Sequence, residues 1–225
     1  MNRAVPLRAV VFDFDGTLVN SLPLVLASIA HALEPYGRKP TMEIFARLGG
    51  PPERFLPLLL DDPRNTPDAL ARMDAYHRAN QHLIELFDGA GKILDALKAA
   101  GIKTAIWTGR DRQSTELLLN SLGLAGHFAT ILCGDDLPSH KPDPEGLREI
   151  MRRLAVAPAA TVFIGDADVD VLGGRACGVD TILIRHAREI AAEIVAQTWQ
   201  AVDSPAEAFA LVVRSIAAAP GGPTP

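Results

Sequence analysis

The 225-residue chain is short of the features that mark several large classes of protein. It has only two cysteines, Cys133 and Cys177, so it carries no framework of closely spaced disulfides or paired metal-binding thiols. Both sit among apolar neighbours and are expected as small core residues. No apolar run approaches the roughly 20 residues that span a bilayer. Near the N-terminus, Arg3 and Arg8 are followed only by the short run Ala9–Phe12, too little for a signal peptide. A basic excess is also missing: 22 Lys and Arg stand against 27 Asp and Glu, a net charge of −5, which speaks against a nucleic-acid surface. The expectation is a cytoplasmic protein with no membrane and no nucleic-acid partner, its oligomeric state open between monomer and homodimer.

What is present suffices for a core. Hydrophobic residues make up 48% and charged residues 22%, ordinary values for a globular chain. The rest is organised around one stretch, Val10-Val11-Phe12-Asp13-Phe14-Asp15-Gly16-Thr17. A β-branched apolar run meets a glycine turn, the pattern of a buried strand entering a loop. Residues two apart on an extended strand point the same way, so Asp13 and Asp15 can face one site. Two carboxylates this close repel unless a cation lies between them. The stretch therefore reads either as an Mg²⁺-bound pair in which one aspartate attacks an electrophile, or as a polar strand end of the kind turns favour.

Beyond Ser21 the periodicity becomes helical, with expected helices at 23–33, 41–48, 53–60 and 68–87 and no strand candidate between 18 and 87. From Asp88 strands and helices alternate. Strands are expected at 102–107, 129–133, 161–164, 181–185 and 200–202, with helices of about ten residues between them and a last helix at 205–218. Such alternation implies an α/β fold built on a Rossmann-like parallel sheet. The helical block is an insertion after the first strand: an all-helical cap at 18–87, with the core formed by 1–17 and 88–225.

Ligands of an open parallel sheet bind beyond the carboxyl ends of its strands. There the sequence places Asp13 and Asp15, then Thr108, Gly109 and Arg110, then Asp135 and Asp136, then Asp166, with Lys141 in the loop before the strand that carries Asp166. The set offers acids for a hard cation, a hydroxyl and free amides for anion oxygens, and one lysine. It suits phosphoryl transfer through an aspartate: a carboxylate can split one hard step into two, and the charge on the phosphoryl oxygens is clamped by cations, hydroxyl and amides.

Asp13-Phe14-Asp15-Gly16-Thr17-Leu18 resembles the first signature of the haloacid dehalogenase superfamily. Thr108 after Ile106-Trp107 resembles the second, Lys141-Pro142 the third, and Gly165-Asp166-Ala167-Asp168-Val169-Asp170 the fourth. The helical insertion after the first strand resembles the cap of the phosphoglycolate-phosphatase-like and β-phosphoglucomutase-like branch. The resemblance implies Asp13 as nucleophile and Asp15 as acid/base. It implies Mg²⁺ held by Asp13, the Asp15 carbonyl and Asp166, and a phosphoryl group held by Thr108, Gly109 and Lys141. Asp170 would support Lys141 or a metal-bound water. The implied activity is an Mg²⁺-dependent phosphatase acting on a small phosphorylated metabolite, with a phosphomutase as the alternative. A 2-haloacid dehalogenase would lack the acid at Asp15, and a phosphonatase would want a cap lysine where 18–87 offers only Lys39. A non-catalytic phosphate-binding protein would have no need of the complete set.

Other positions carry two readings. Arg110, where this branch often has Asn or Lys, either reaches a second anionic group of the substrate or lies on the surface. Gly49-Gly50-Pro51-Pro52 matches the branch's substrate-specificity loop, with Arg47 and Glu53 as contacts and Arg54 as a weaker candidate, or is simply a turn between helices. Asp135 or Asp136 either orients Lys141 or caps a helix. His140 and His186 are incidental or remote candidates, and His31, His77, Arg78 and His82 are read as structural or solvated. Gly173-Gly174 predicts close packing of the helix after Asp170.

Overall fold

A computed structural model describes residues 5–39, 52–186 and 188–217. The helix expected at 41–48, Arg47, Gly49, Gly50, the side chain of Arg54 and the tail after 217 lie outside the described residues. The chain divides into two compact units, one taking in the chain up to Asn20 and from Leu86 onward, the other Ser21–Glu85.

The first unit begins with β1 (Ala9–Phe12), whose four residues are all buried. Two short strands, β2 (Val19–Asn20) and β3 (Glu85–Leu86), pair where the chain leaves this unit and returns. They correct the expectation that 18–87 holds no strand. The remaining strands are β4 (Lys103–Trp107), β5 (Thr130–Leu132), β6 (Thr161–Gly165), β7 (Asp180–Ile184) and β8 (Gln200–Val202). With β1 they form a six-stranded sheet in the order β5-β4-β1-β6-β7-β8, every pair parallel. In this register Phe12 stands opposite Ile106 on β4 and Ile164 on β6, so the carboxyl ends of the three central strands lie level.

Among the described residues, three helices belong to the second unit: α1 (Leu22–Leu33), α2 (Pro52–Leu59) and α3 (Thr66–Ala79). Their own core joins Ile29, Leu33, Phe55, Leu56, Ala69 and Met73. Helix α3 stops eight residues short of the expected end at Phe87. The N–H of Asn80 turns back to Tyr76 and His77, and its Nδ2 donates to the Tyr76 carbonyl at 2.8 Å, which ends the helical ladder.

The first unit carries α4 (Ala90–Ala99), α5 (Arg112–Ser121), α6 (Glu145–Leu154), α7 (Asp168–Ala176), the short α8 (Ala192–Val195) and α9 (Pro205–Ala217). Leu147, Ile150, Met151 and Leu154 of α6 pack on Ala9, Val11, Ala105, Trp107 and Phe163 of the sheet. Val10 and Phe12 alternate to the opposite face and are equally buried. A strand covered on both faces reads as a continuous apolar run, as β1 does. The buried Cys133 and the half-buried Cys177 are both free thiols. Among the described residues no helix is long and apolar enough to cross a membrane.

Candidate active site

β1 delivers Asp13 to the carboxyl end of the sheet, where its N–H still donates to the Ile164 carbonyl at 2.8 Å. The chain then folds tightly. The N–H groups of Leu18 and Val19 donate to the Phe14 carbonyl at 2.9 and 3.0 Å, and the Gly16 N–H donates to Val19 at 2.9 Å. Gly16 has φ +77°, and a Cβ there would stand 2.6 Å from the carboxyl carbon of Asp166. Backbone angle and space both demand glycine. The carbonyl of Gly16 accepts from Nε2 of His186 at 2.6 Å. A carbonyl can only accept, so this nitrogen carries the proton. The His186 ring stacks on Phe87, centroids 5.5 Å apart, and the Phe87 N–H donates to the Leu18 carbonyl at 3.0 Å. One histidine thus braces the loop of the first signature and the returning chain.

Lys141 enters from the loop before α6. Its Nζ donates to Asp13 Oδ1 and to Asp170 Oδ1, both at 2.7 Å. The side chain is only 8% exposed, and Nζ lies 5.1 Å from the ring of Trp107 and 5.3 Å from that of Phe163, both within cation–π range. The other oxygen of Asp170 accepts the Ala167 N–H at 3.0 Å, which fixes the carboxylate at the first turn of α7. A side chain at Gly165 would collide with this carboxyl. Asp166 follows β6, and Arg188 donates to both its backbone carbonyl and, at 3.4 Å, its Oδ2.

One oxygen from each of Asp13, Asp166 and Asp170 falls within 4.8 Å of the others. Burial, with the charges of Asp170 and Asp166 added to it, pushes the Asp13 carboxyl well above its ordinary value despite Lys141. Burial and then Asp170 push Asp166 up to about 7, against the pull of Arg188 and Lys141. Burial alone would lower the Lys141 ammonium, but Asp13 and Asp170 outweigh it and hold the pKa above the usual lysine value. The neighbouring side chains leave Asp13 and Asp166 under-compensated. A crowded, buried set of oxygen donors is what a hard divalent cation requires, so the residues present fit such an ion.

Thr108 closes β4, buried, with its N–H on the Leu132 carbonyl at 3.0 Å. Its hydroxyl oxygen accepts the Arg110 N–H at 3.1 Å. Gly109 is exposed between them, and a side chain on Gly134 would run into its carbonyl. Arg110 corrects the surface reading. Its side chain is 9% exposed, and its guanidinium makes a two-point pair with Asp15, Nε to Oδ2 at 3.0 Å and Nη2 to Oδ1. Burial opposes the charge, but Asp15 holds the Arg110 pKa above its usual value.

The structure thus gathers Asp13, Asp15, Thr108, Arg110, Lys141, Asp166 and Asp170 at adjacent strand ends. Asp135 and Asp136 do not orient Lys141. Asp135 accepts the Arg112 N–H at 2.9 Å. Asp136 pairs with the Arg112 guanidinium and accepts the Cys133 N–H at 2.7 Å. Glu53, His140 and Asp168 are exposed. Sequence reasoning missed Arg188 and set His186 aside. Both follow the end of β7, so the strand-end rule that found the other residues reaches them too.

Residues 10–184 match the haloacid dehalogenase-like hydrolase family. Over 192 residues the chain is 33% identical to the pyrophosphatase PpaX of Halalkalibacterium halodurans, a match covering 80% of this chain and 85% of that protein. Over 196 residues it is 34% identical to the phosphoglycolate phosphatase of Thiobacillus denitrificans, covering 81% and 85%. In fold it is similar to a haloacid dehalogenase-like family protein of Streptococcus pneumoniae, with a TM-score of 0.77 at 21% identity over 92% of this chain and 98% of that one. The chain belongs to the haloacid dehalogenase-like hydrolase family.

Proposed function

We propose that the protein hydrolyses a small phosphorylated metabolite through an aspartyl-phosphate on Asp13. The observation that carries this reading is the 2.7 Å contact between Lys141 Nζ and Asp13 Oδ1 at the end of the central strand, beside Asp166 and Asp170. A lysine so placed neutralises the nucleophile's neighbourhood without occupying both its oxygens. The carboxylate of Asp13 attacks phosphorus, the bond to the leaving oxygen breaks, and Asp15 gives that oxygen a proton. The hydroxyl of Thr108, the amide of Gly109 and the ammonium of Lys141 hold the phosphoryl oxygens as their charge develops. Water then attacks phosphorus, passes its proton to Asp15, and releases phosphate and free Asp13. Mg²⁺, held by Asp13, Asp166 and the Asp15 carbonyl with Asp170 close by, would supply charge neutralisation of the phosphoryl group. The helical unit is read as the cap of this enzyme class.

The named relatives, a pyrophosphatase and a phosphoglycolate phosphatase, support water rather than a second hydroxyl as the acceptor. They make phosphoglycolate, pyrophosphate and sugar phosphates the first substrates to try. The test is release of phosphate from these compounds and from p-nitrophenyl phosphate, with Mg²⁺ and then with excess EDTA. The expected result is turnover that the chelator abolishes and Mg²⁺ restores. Absence of Mg²⁺-dependent release from the whole panel overturns the reading.

A further inference from the structure

We propose that His186 and Arg188 are positioning residues for the two loops that hold the metal. From one anchored stretch after β7 they grip the backbone carbonyls of Gly16 and Asp166, and so set the spacing of the oxygens offered to a cation. The inference rests on the reading of Asp13, Asp166 and the Asp15 carbonyl as metal ligands.

The two loops meet closely, since a Cβ on Gly16 would stand 2.6 Å from the carboxyl carbon of Asp166. Gly16 directly follows the Asp15 carbonyl, and a glycine has the most backbone freedom to lose. Its N–H is held by the Val19 carbonyl at 2.9 Å. Its own carbonyl is held by His186 Nε2 at 2.6 Å. On the other loop, Arg188 Nη2 donates to the Asp166 carbonyl. Its contact with Oδ2, at 3.4 Å, is longer than an ordinary N–H···O bond. The arginine thus grips the loop more than the carboxylate, and leaves the acid open to a cation.

The stretch that carries both donors is itself tied to the sheet. The Arg185 N–H donates to the Val202 carbonyl at the end of β8, at 2.8 Å, and the Arg185 guanidinium pairs with Asp203 at 2.8 Å. The N–H and Nε of Arg188 both return to the Arg185 carbonyl, at 2.9 and 3.1 Å. The His186 ring lies against Phe87. One support therefore reaches both loops. Groups that hold a ligand in place raise metal affinity, because donors already in position need no ordering when the ion arrives. The charge of Arg188 opposes a nearby cation while its grip on the loop favours one, so the two roles predict opposite effects of removing it.

The experiment measures the dissociation constant for Mg²⁺ alone, by isothermal titration without substrate. It compares the parent with Asp166→Asn, His186→Phe, His186→Gln, Arg188→Gln and the double variant His186→Phe with Arg188→Gln. His186→Phe keeps a ring for Phe87 and loses the donor; it is expected to weaken Mg²⁺ binding about tenfold. His186→Gln returns a donor and recovers most of the affinity, which a simple loss of packing would not allow. Arg188→Gln, at a half-exposed position, is also expected to weaken binding about tenfold, although it removes a positive charge. A brace released at one end no longer ties the loops, so the double variant is expected to fall little below the weaker single variant. Binding by Arg188→Gln as tight as the parent's, or tighter, overturns the proposal, because the arginine would then act as a charge only. Parent-like affinity in His186→Phe beside a lowered melting temperature also overturns it, as do multiplicative losses in the double variant. If the His186 and Arg188 variants match the parent while Asp166→Asn loses Mg²⁺, the proposal alone fails. If the parent takes up no Mg²⁺, or Asp166→Asn binds it equally well, the metal reading fails and takes the proposal with it.

Discussion

Lys141 stands between two carboxylates at 2.7 Å and above two aromatic rings, so its charge serves the fold as well as the site. Lys141→Met keeps much of the volume but leaves Asp13 and Asp170 buried without their counter-charge. Breaking a buried pair from one side costs about 3–5 kcal/mol, and urea unfolding of this variant is expected to show a loss of that order together with loss of phosphate release. Asp13→Asn separates the two effects: it removes the attacking oxygen while keeping the shape and relieves the crowding of acids. Its unfolding midpoint is expected to stay at or above that of the parent while phosphate release is abolished; residual turnover would exclude Asp13 as the nucleophile. Asp13, Asp15, Thr108, Asp166 and Lys141 were legible in the sequence because each follows a strand end or lies in a short polar loop, whereas Asp170, inside a helix, came only with the resemblance to the fourth signature. The Asp15 partner of Arg110 was not legible, since periodicity carries no information about a contact made across 95 positions. The hold of His186 on the Gly16 carbonyl is hidden for the same reason.

At the scale of elements, α7 comes close to the sheet through its glycines. A Cβ on Gly173 would lie 2.8 Å from the Trp107 ring, and one on Gly174 would strike the Thr181 hydroxyl. The helix gives up propensity at both positions and gains the approach that places Asp170 beneath Lys141. Gly173→Ala therefore overpacks the floor of the site. The expected cost is about 1–3 kcal/mol, read as a lower melting temperature, with reduced turnover because the displaced ring also lies under Lys141. A second element-level prediction concerns the start of α5, where the Arg112 guanidinium bonds Asp136 and holds its pKa below the usual aspartate value. A carboxyl depressed on folding stabilises the native state above its unfolded pKa of about 3.9. That contribution is lost as pH falls through the folded value. Asp136→Asn should thus lower the urea midpoint at pH 7, and the difference from the parent should shrink below about pH 4; a pH-independent difference would contradict it. The long strands and helices were legible because each spans enough residues to show a period. β2 and β3 are two residues each, too short to alternate, and β3 follows a charged stretch that reads as helix until Asn80 turns it back.

At the scale of the whole molecule, one unit is continuous in sequence and the other is interrupted by it. A divalent cation held by Asp13, Asp166 and Asp170 would make the stability of the interrupted unit respond to metal, since a ligand that binds only the folded state stabilises it by mass action. The melting temperature is expected to rise with Mg²⁺ concentration in the parent and to respond much less in Asp166→Asn; equal shifts in both would remove Asp166 from the metal site. The order of the strands also has a consequence for synthesis. β1 is the first strand made, yet its neighbours begin at Lys103 and Thr161. A ribosome must translate as far as Gly165 before both edges of this wholly apolar strand can pair. The helices of Ser21–Glu85 can close their own core much earlier, from adjacent sequence. Between the emergence of Glu85 and of Ile164 the nascent chain therefore carries a folded helical unit behind a hydrophobic strand with at least one edge unpaired, the kind of edge that invites aggregation. The interval between the emergence of Phe12 and of Gly165 is the period in which a chaperone has most to protect.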